Sequence, residues 1–278
     1  MIALAVLAVL CLVLLFCLLP QLPRRPLGPL EGWDYAHRGL WNDTAPENSL
    51  PAFRRAAQQG FGIELDVQAS ADGELVVFHD DDLERMCGIR RSVAACSLNE
   101  LQNARLLDTD ETIPTFAQVL REVNGRVPLI VEIKRCPNLK QVCRQTDALL
   151  HRYPGVYCVE SFDPRAMRWF RKNRPQVIRG QLTQSPWTSR EIPFTLENLA
   201  MSTLLGNLWS RPDFIAHHYA SDRHPSFALL RAMKVHTVAW TVRDPETMNA
   251  LRDRYSLQIF DSFVPVYEDE ESSGGESP

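Results

Sequence analysis

Apolar residues along this chain fall into two patterns. Short, nearly continuous apolar runs alternate with longer segments in which apolar positions recur every three to four residues. The runs predict strands at Trp33–His37, Gly62–Val67, Glu74–His79, Pro128–Lys134, Gly155–Ser161, Val177–Gln181, Asp213–Tyr219, Val235–Val242 and Leu257–Phe260. The periodic segments predict helices at Ser49–Gln59, Leu98–Arg105, Thr115–Asn124, Leu139–His151, Pro164–Asn173, Glu197–Leu205, Pro225–Met233 and Pro245–Tyr255. In the pairs Asp163-Pro164, Asp244-Pro245 and His224-Pro225, proline stands at a first helical position, where its missing N–H costs nothing. Strands that alternate with helices imply parallel strands joined by crossover helices. About eight such units after Gly32 make the size of one TIM (β/α)8 barrel. A doubly wound open sheet would want a glycine-rich turn after the first strand. The chain has His37-Arg38-Gly39 there and no GxGxxG anywhere.

The first segment follows neither pattern. Ile2–Leu19 is one apolar run without a charge, close to the roughly 20 residues that cross a hydrocarbon core. Pro20, Pro23, Arg24 and Arg25 end it. A cleaved secretory signal would carry a basic start and a small-residue cleavage site, and neither is present. The expectation is one transmembrane helix anchoring the chain over residues 1–25, a single-pass membrane protein. Two arginines on the C-terminal side of the run place the main domain in the cytoplasm by the positive-inside rule. The rival arrangement is an uncleaved anchor with the domain outside. The barrel domain is expected over residues 32–266, and an acidic, Ser- and Gly-rich tail over 267–278 to be disordered.

Composition narrows the partners. The formal net charge is -4, so no basic field invites nucleic acid. The 7 cysteines are irregularly spaced and form no CxxC pair, which argues against a zinc or redox centre. They read as small buried hydrophobes, and their scatter suits a reducing compartment.

In barrels of this type the chemistry gathers at the C-terminal ends of the strands. The first predicted strand ends in His37-Arg38-Gly39, the second carries Glu64 and Asp66, the third ends in His79-Asp80, and the fourth carries Glu132 and Lys134. Residues two apart on a strand share a face. Glu64 with Asp66, and Glu132 with Lys134, therefore point together into the barrel. Three carboxylates converging at one mouth repel each other, and a hard divalent cation with oxygen ligands, Mg2+ or Ca2+, relieves that repulsion. Arg38 and Lys134 offer positive charge to a phosphate. His37 and His79 offer imidazoles suited to acid and base work. Taken singly, a strand-end His is more often structural and a Glu–Lys pair more often an ion pair. The mixed constellation is hard to produce by structural need alone.

The stretches Ala36-His37-Arg38-Gly39, Ala45-Pro46-Glu47-Asn48-Ser49, Glu64-Leu65-Asp66-Val67, Val77-Phe78-His79-Asp80, Glu132-Ile133-Lys134 and Trp240-Thr241-Val242 resemble the ordered motifs of glycerophosphodiester phosphodiesterases. The resemblance runs from about Tyr35 to about Asp261. It implies a TIM barrel that splits glycerophosphodiesters into sn-glycerol 3-phosphate and an alcohol. It implies metal ligands at Glu64, Asp66 and Glu132, with Glu47 close enough to touch the metal. It implies His37 and His79 as general base and acid, without saying which is which, and Arg38 and Lys134 as the phosphate holders. Asn48 reads as a helix cap. Trp240 reads equally as an apolar wall for glycerol and as core. The last strand departs from the family: of its motif only Asp261 matches. His217 and His218 match no motif and read as structural.

Two other functions stay open at this stage. A membrane anchor would bring the site near lipid, so a lysophospholipase D-type reaction on lysophospholipids is the first, with Trp187, Phe194 and Trp209 as candidate apolar residues around the mouth. The second is a catalytically silent barrel that binds a phosphorylated ligand.

Overall fold

The computed structural model describes residues 20–267 apart from 23, 186–194, 196–201, 203 and 222–224. In chain order its strands are β1 (Asp34–Ala36), β2 (Gly62–Ala69), β3 (Leu75–Val77), β4 (Asp82–Leu83), β5 (Ile89–Ser92), β6 (Leu129–Ile133), β7 (Tyr157–Ser161), β8 (Arg179–Thr183), β9 (Phe214–His218), β10 (His236–Val242) and β11 (Leu257–Phe260). The strands β1, β2 and β6 to β11 are parallel neighbours around a ring, which β1 closes by pairing with both β11 and β2. Outside them pack α1 (Leu50–Gln58), α2 (Phe116–Val123), α3 (Leu139–Leu150), α4 (Pro164–Asn173), α5 (Pro225–Ala232) and α6 (Pro245–Leu251). This is the TIM barrel that strand–helix alternation predicts. The caps are those of the sequence: Asp163 and Asp244 accept from backbone N–H groups at the starts of α4 and α6, and Thr115 forms a capping box with Gln118 before α2. Most of the helix expected over Glu197–Leu205, all but Ser202, Leu204 and Leu205, and the cap at His224 lie outside the described residues, as does the apolar run Ile2–Leu19. Among the described residues no helix is long and apolar enough to cross a membrane.

The lower interior of the barrel, toward the strand N-termini, is apolar and holds Tyr35, Ile130, Cys158, Phe214, Val238 and Leu257. Two rings fill it by lying over glycines. A Cβ at Gly62 would stand 2.6 Å from the Tyr35 ring, and one at Gly180 would stand 2.1 Å from Phe214. Larger residues there would expel the rings. Leu27 and Leu30 close the floor from below, and the Tyr35 hydroxyl donates to the Leu30 carbonyl at 2.8 Å. Burying each leucine contributes about 1.5–3 kcal/mol.

The boundary drawn at Gly32 therefore moves back. Gln21 N–H donates to the Pro212 carbonyl at 2.8 Å. Arg25 grips the Asp213 carboxylate and donates to the Pro175 and Val177 carbonyls. Arg25 is thus part of the barrel's underside and not a free flanking charge.

A second correction concerns the strand expected over Glu74–His79. The strand found there, β3, is shorter and runs antiparallel to β2, outside the ring. Only a tight turn, Ser70–Glu74, separates it from β2, and Ser70 N–H donates to the Glu74 carbonyl at 2.9 Å. A parallel return needs a crossover of about a dozen residues. His79 consequently lies on the segment after a hairpin, not at the end of a barrel strand. Beyond it, the β4–β5 hairpin and a short helix, Leu98–Gln102, cover a satellite core around Val76, Phe78, Met86 and Leu106.

Candidate active site

Above the apolar floor the inward-facing positions become charged. Glu64, Asp66, Glu132 and Lys134 all point inward, as strand parity requires. Asp66 and Glu132 are register partners on β2 and β6, so their carboxylates stand side by side. One oxygen from each of Glu64, Asp66 and Glu132 lies within 4.8 Å of the others, and all three residues are buried. Lys134 Nζ is 3.3 Å from Asp66 and 3.2 Å from Glu132.

The β1 end completes the cluster. The backbone turns sharply after β1, with Arg38 at φ 59 and Gly39 at φ 82. A Cβ on Gly39 would stand 2.9 Å from the Ala52 backbone, so only glycine lets this turn sit against α1. The turn aims the Arg38 N–H at Glu64, 3.0 Å away, and its guanidinium at Glu47, 2.7 Å away, and at Asp66, 3.6 Å away. Asn48 is not the cap expected of it. Ser49 caps α1, while Asn48, buried at φ 56, donates to Asp66 at 2.9 Å. Glu47 stands outside the acidic triplet: its oxygens accept from Arg38 and from Arg85, the latter at 2.6 and 3.0 Å.

Both histidines are oriented by carboxylates. His37 Nδ1 is 3.0 Å from Asp261, whose other oxygen accepts from Ser262 at 2.7 Å and from Arg243 at 3.3 Å. His79 Nδ1 is 2.7 Å from Asp80, which Arg85 clamps at 2.6 and 3.0 Å. The loop bearing His79 is tied to β2 by Gln68, which donates to the Phe78 and Asp80 carbonyls. Asp261, whose strand departs from the family pattern, is thus brought to the first histidine.

These charges perturb one another. Burial raises the Glu64 carboxyl well above its ordinary value, and the charges of Asp66, Glu132 and Glu160 add to the rise. Burial also pushes Asp66 up, but Lys134, His79, Arg38 and the Asn48 amide outweigh it and hold Asp66 far below the carboxylate range. Burial, and then Arg38, lowers His37 despite the pull of Asp261, so the imidazole is neutral and able to accept a proton.

The groups meet in a cavity of about 530 Å3 that opens at the strand C-termini. One side carries His37, Arg38, Glu64, His79 and Glu132. The other carries Phe162, Leu182, His218 and Trp240. The Trp240 ring lies edge-on to Phe162 at 5.7 Å and to His218 at 5.5 Å. Trp240 is therefore a wall. His218 is part of the same wall, whereas its neighbour His217 is structural: it is buried, bonded to the Tyr255 hydroxyl at 2.9 Å, and stacked on Phe227. Trp209 is exposed near the underside, not at the mouth, and Trp187 and Phe194 lie outside the described residues.

Sequence reading passed over Glu160 and the Asp80–Arg85 pair. Glu160 faces inward from β7, next to Glu132 in register, and is 1% exposed. An acid two residues after Cys158 in an otherwise apolar strand was the available signal, since parity places it on Cys158's inward face.

The donor set suits a divalent cation. It consists of hard oxygens only, from three buried carboxylates within reach of one centre, and burial together with their mutual repulsion raises Glu64.

The model of the glycerophosphoryl diester phosphodiesterase family matches residues 37–256. Among relatives, the chain is 33% identical over 170 residues to Homo sapiens glycerophosphodiester phosphodiesterase 1, covering 55% of this chain and 49% of that one. It is 31% identical over 172 residues to a glycerophosphodiester phosphodiesterase of Caldanaerobacter subterraneus, covering 55% and 68%. The chain spans about half to two thirds of the length of the curated relatives it matches. Among solved structures, a phosphodiesterase of Oleispira antarctica in complex with the product sn-glycerol-3-phosphate superposes with a TM-score of 0.69 at 21% identity, covering 85% of this chain and 95% of that one. A glycerophosphodiester phosphodiesterase of Thermotoga maritima gives 0.62 at 24%, covering 82% and 94%. At these identities the two structures establish the likeness of fold.

Proposed function

Because the chain belongs to the glycerophosphoryl diester phosphodiesterase family, we propose that it hydrolyses glycerophosphodiesters to sn-glycerol 3-phosphate and an alcohol. One observation carries the reading. A buried acidic triplet, two carboxylate-oriented histidines and two cations, Arg38 and Lys134, converge at one mouth.

In this reading Glu64, Asp66 and Glu132 hold a divalent cation, Mg2+ or Ca2+. When bound, that cation supplies positive charge for the phosphoryl oxygens and acidifies a nearby hydroxyl. Arg38 and Lys134 bind the phosphate and offset charge that grows on it. His37 is neutral through burial and is held by Asp261, which leaves Nε2 free to take the proton of the glycerol hydroxyl beside the ester. That oxygen attacks phosphorus, and the bond from phosphorus to the alcohol breaks. His79, oriented by Asp80, gives its proton to the departing oxygen. Water then opens the cyclic phosphate, with the two histidines in reversed roles.

A tether to a membrane through the run Ile2–Leu19, with the barrel in the cytoplasm, remains part of the proposal. The attachment point bears on substrate. Gln21 and Arg25 are fixed to the underside of the barrel, at the end opposite the mouth. Exposed Leu22, Leu208 and Trp209 lie on or beside that underside. A chain leaving toward a bilayer from Pro20 starts from this end, with the mouth turned to solvent. This favours soluble diesters over lysophospholipids embedded in the same membrane.

The test is hydrolysis of glycerophosphocholine by the full chain with Mg2+, with Ca2+ and with EDTA, beside His37→Ala. Metal-dependent release of glycerol 3-phosphate that disappears in the variant is expected. A folded protein inert with every metal would count against the reading, and cleavage of lysophosphatidylcholine alone would replace it.

A further inference from the structure

Three residues that line the cavity each carry a buried polar atom without a hydrogen-bond partner: Arg38 Nε, which still faces the Asp66 carboxylate at 3.6 Å, one carboxylate oxygen, Oε2, of Glu160, and the indole Nε1 of Trp240. Buried polar groups are nearly always paired, and leaving one unpaired is costly. Glu160 offers an acceptor and Trp240 a donor. A hydroxyl group is both at once: its hydrogen goes to the carboxylate and its oxygen takes the indole N–H. An ammonium can only donate, and a quaternary ammonium does neither, so a cationic head group would leave the Trp240 N–H unpaired.

Position says which hydroxyl. Glu160 is the register neighbour of Glu132 on the adjacent strand, and adjacent strands lie about 4.8 Å apart. What Glu160 touches is therefore next to what the acidic triplet holds. Under the proposed reading that is the glycerol end of the diester, whose C2 hydroxyl is the nucleophile. The hydroxyl left over is the one on C1. Glu160 also lies deep, where the constant glycerol half of the substrate belongs, while variable alcohols extend toward the mouth.

We propose that Glu160 and Trp240 form a recognition subsite for the free C1 hydroxyl of the substrate's glycerol. The inference rests on the phosphodiesterase reading and deepens it into a specificity. The subsite reads the absence of an acyl group at C1: a 1-acyl lysophospholipid has no hydrogen there to donate and leaves the Glu160 oxygen unpaired beside an ester. The carboxyl keeps an acceptor oxygen in either protonation state. Phe162 and Leu182 give the subsite its apolar sides.

The experiment pairs substrate and enzyme changes in the full chain. The substrates are glycerophosphocholine, its analogue lacking the C1 hydroxyl (the phosphocholine ester of propane-1,2-diol), and glycerophosphoinositol. The variants are Glu160→Ala, Glu160→Gln and Trp240→Phe. The wild type should lose roughly 10- to 100-fold in kcat/KM on the deoxy analogue. Glu160→Ala should lose a similar factor on both natural head groups and be nearly indifferent to removal of the C1 hydroxyl. Glu160→Gln, which keeps an acceptor, should recover most of the activity. Trp240→Phe, which keeps an aromatic ring, should lose part of the preference. Mg2+ titration by calorimetry should keep its stoichiometry in Glu160→Ala, with only the modest change in affinity that loss of a neighbouring acid brings, not the abolition that loss of a ligand brings.

Three results would overturn the subsite. They are full preference for the C1 hydroxyl retained in Glu160→Ala, a loss confined to the choline head group, and an abolition of metal binding that makes Glu160 a metal ligand instead. If the wild type cleaves no diester, the phosphodiesterase reading fails by itself. Calorimetric binding of sn-glycerol 3-phosphate against the phosphate monoester of propane-1,2-diol then reads the subsite without turnover. Equal affinities in the wild type reject it, and this measurement also serves if the variants do not fold.

Discussion

Asp261→Asn isolates the role of the carboxylate behind His37. In the wild type one Asp261 oxygen faces His37 Nδ1 at 3.0 Å, and the other accepts from Ser262 and Arg243. In the proposed mechanism this arrangement favours the Nδ1–H tautomer and leaves Nε2 as the base. When His37 takes a proton, the imidazolium gains a charge-assisted bond to a carboxylate that is only 7% exposed. Such bonds are worth about 1.5–3 kcal/mol. At 1.36 kcal/mol per tenfold, their loss lowers kcat by roughly 10- to 150-fold. Asparagine should do further harm. Ser262 and Arg243 are donors and would draw its carbonyl oxygen, turning its NH2 toward His37. That forces the hydrogen onto Nε2 and disables the base. Asp261→Ala imposes no tautomer, so kcat should fall in the order wild type, Ala, Asn. The acid limb of kcat/KM should also move. His37 is already lowered by burial and Arg38, and Asp261 is what pulls it back up. Without that carboxylate the limb shifts to lower pH as the plateau falls. The assay is a pH profile of glycerophosphocholine hydrolysis for the three proteins, with circular dichroism to confirm the fold. An asparagine variant within about threefold of wild type, with an unmoved acid limb, would falsify the dyad.

Leu30→Ala should open the barrel floor. At about 2–5 kcal/mol for such a truncation, and about 2–4 °C per kcal/mol in a domain of this size, Tm should fall by roughly 4–20 °C with little change in kcat at low temperature; a differential scanning melt decides it. Arg38→Lys removes a fork that reaches Glu47 and Asp66 together, and kcat/KM should drop by roughly 10- to 100-fold, which steady-state kinetics on two diesters would measure. The metal-free protein should lose stability as pH rises. Glu64, Glu132 and Glu160 all have folded pKa values above their ordinary 4.5, so the stability they contribute is full below that value and is lost as pH climbs through the raised values. Melts in EDTA from pH 4 to 8 should show the decline, and Mg2+ or Ca2+ should abolish it; parallel curves with and without metal would refute the triplet as a cation site.

Much of this site is local in sequence, and that part is legible. Parity puts Glu64 with Asp66, and Glu132 with Lys134, on inward faces, and strand–helix alternation brings those strands to one mouth. What stays hidden depends on the third dimension. Nothing in the order of residues says that the chain turns back at Ser70–Glu74, because a short β-run looks the same in a hairpin and in a barrel strand. The result leaves His79 at the mouth but reaches it by a different path. Asn48 stands directly before the helix, as a cap does, yet the positive φ it shares with Arg38 turns its amide to Asp66, and Ser49 takes the cap. Leu27 and Leu30 look like linker until the ring of β-strands gives them a hole to fill. Glu160 was detectable by the same parity that found Glu132, and it was hidden only because its motif carries no second charge.

The two ends of the barrel solve opposite problems with one set of strands. Below, Tyr35 and Phe214 press their rings over Gly62 and Gly180, and two leucines seal the opening, which fixes strand positions through packing alone. Above, Glu64, Asp66, Glu132 and Glu160 are buried, with Arg38 and Lys134 in direct contact with the triplet among the described residues. Evenly paired acids would have been cheaper to bury, and the excess makes sense only if ligands complete the balance. In the proposed reading a divalent cation would offset two charges at the triplet, a donor hydroxyl would pair the remaining oxygen at Glu160, and the phosphate would meet Arg38 and Lys134, which the acids already orient. The floor's rigidity is what holds these groups close, because strands fixed by packing cannot spread to relieve the repulsion. The acidic cluster is thus suited to a metal and a glycerol phosphate together, and the packing of the floor is what fixes the strands that carry it.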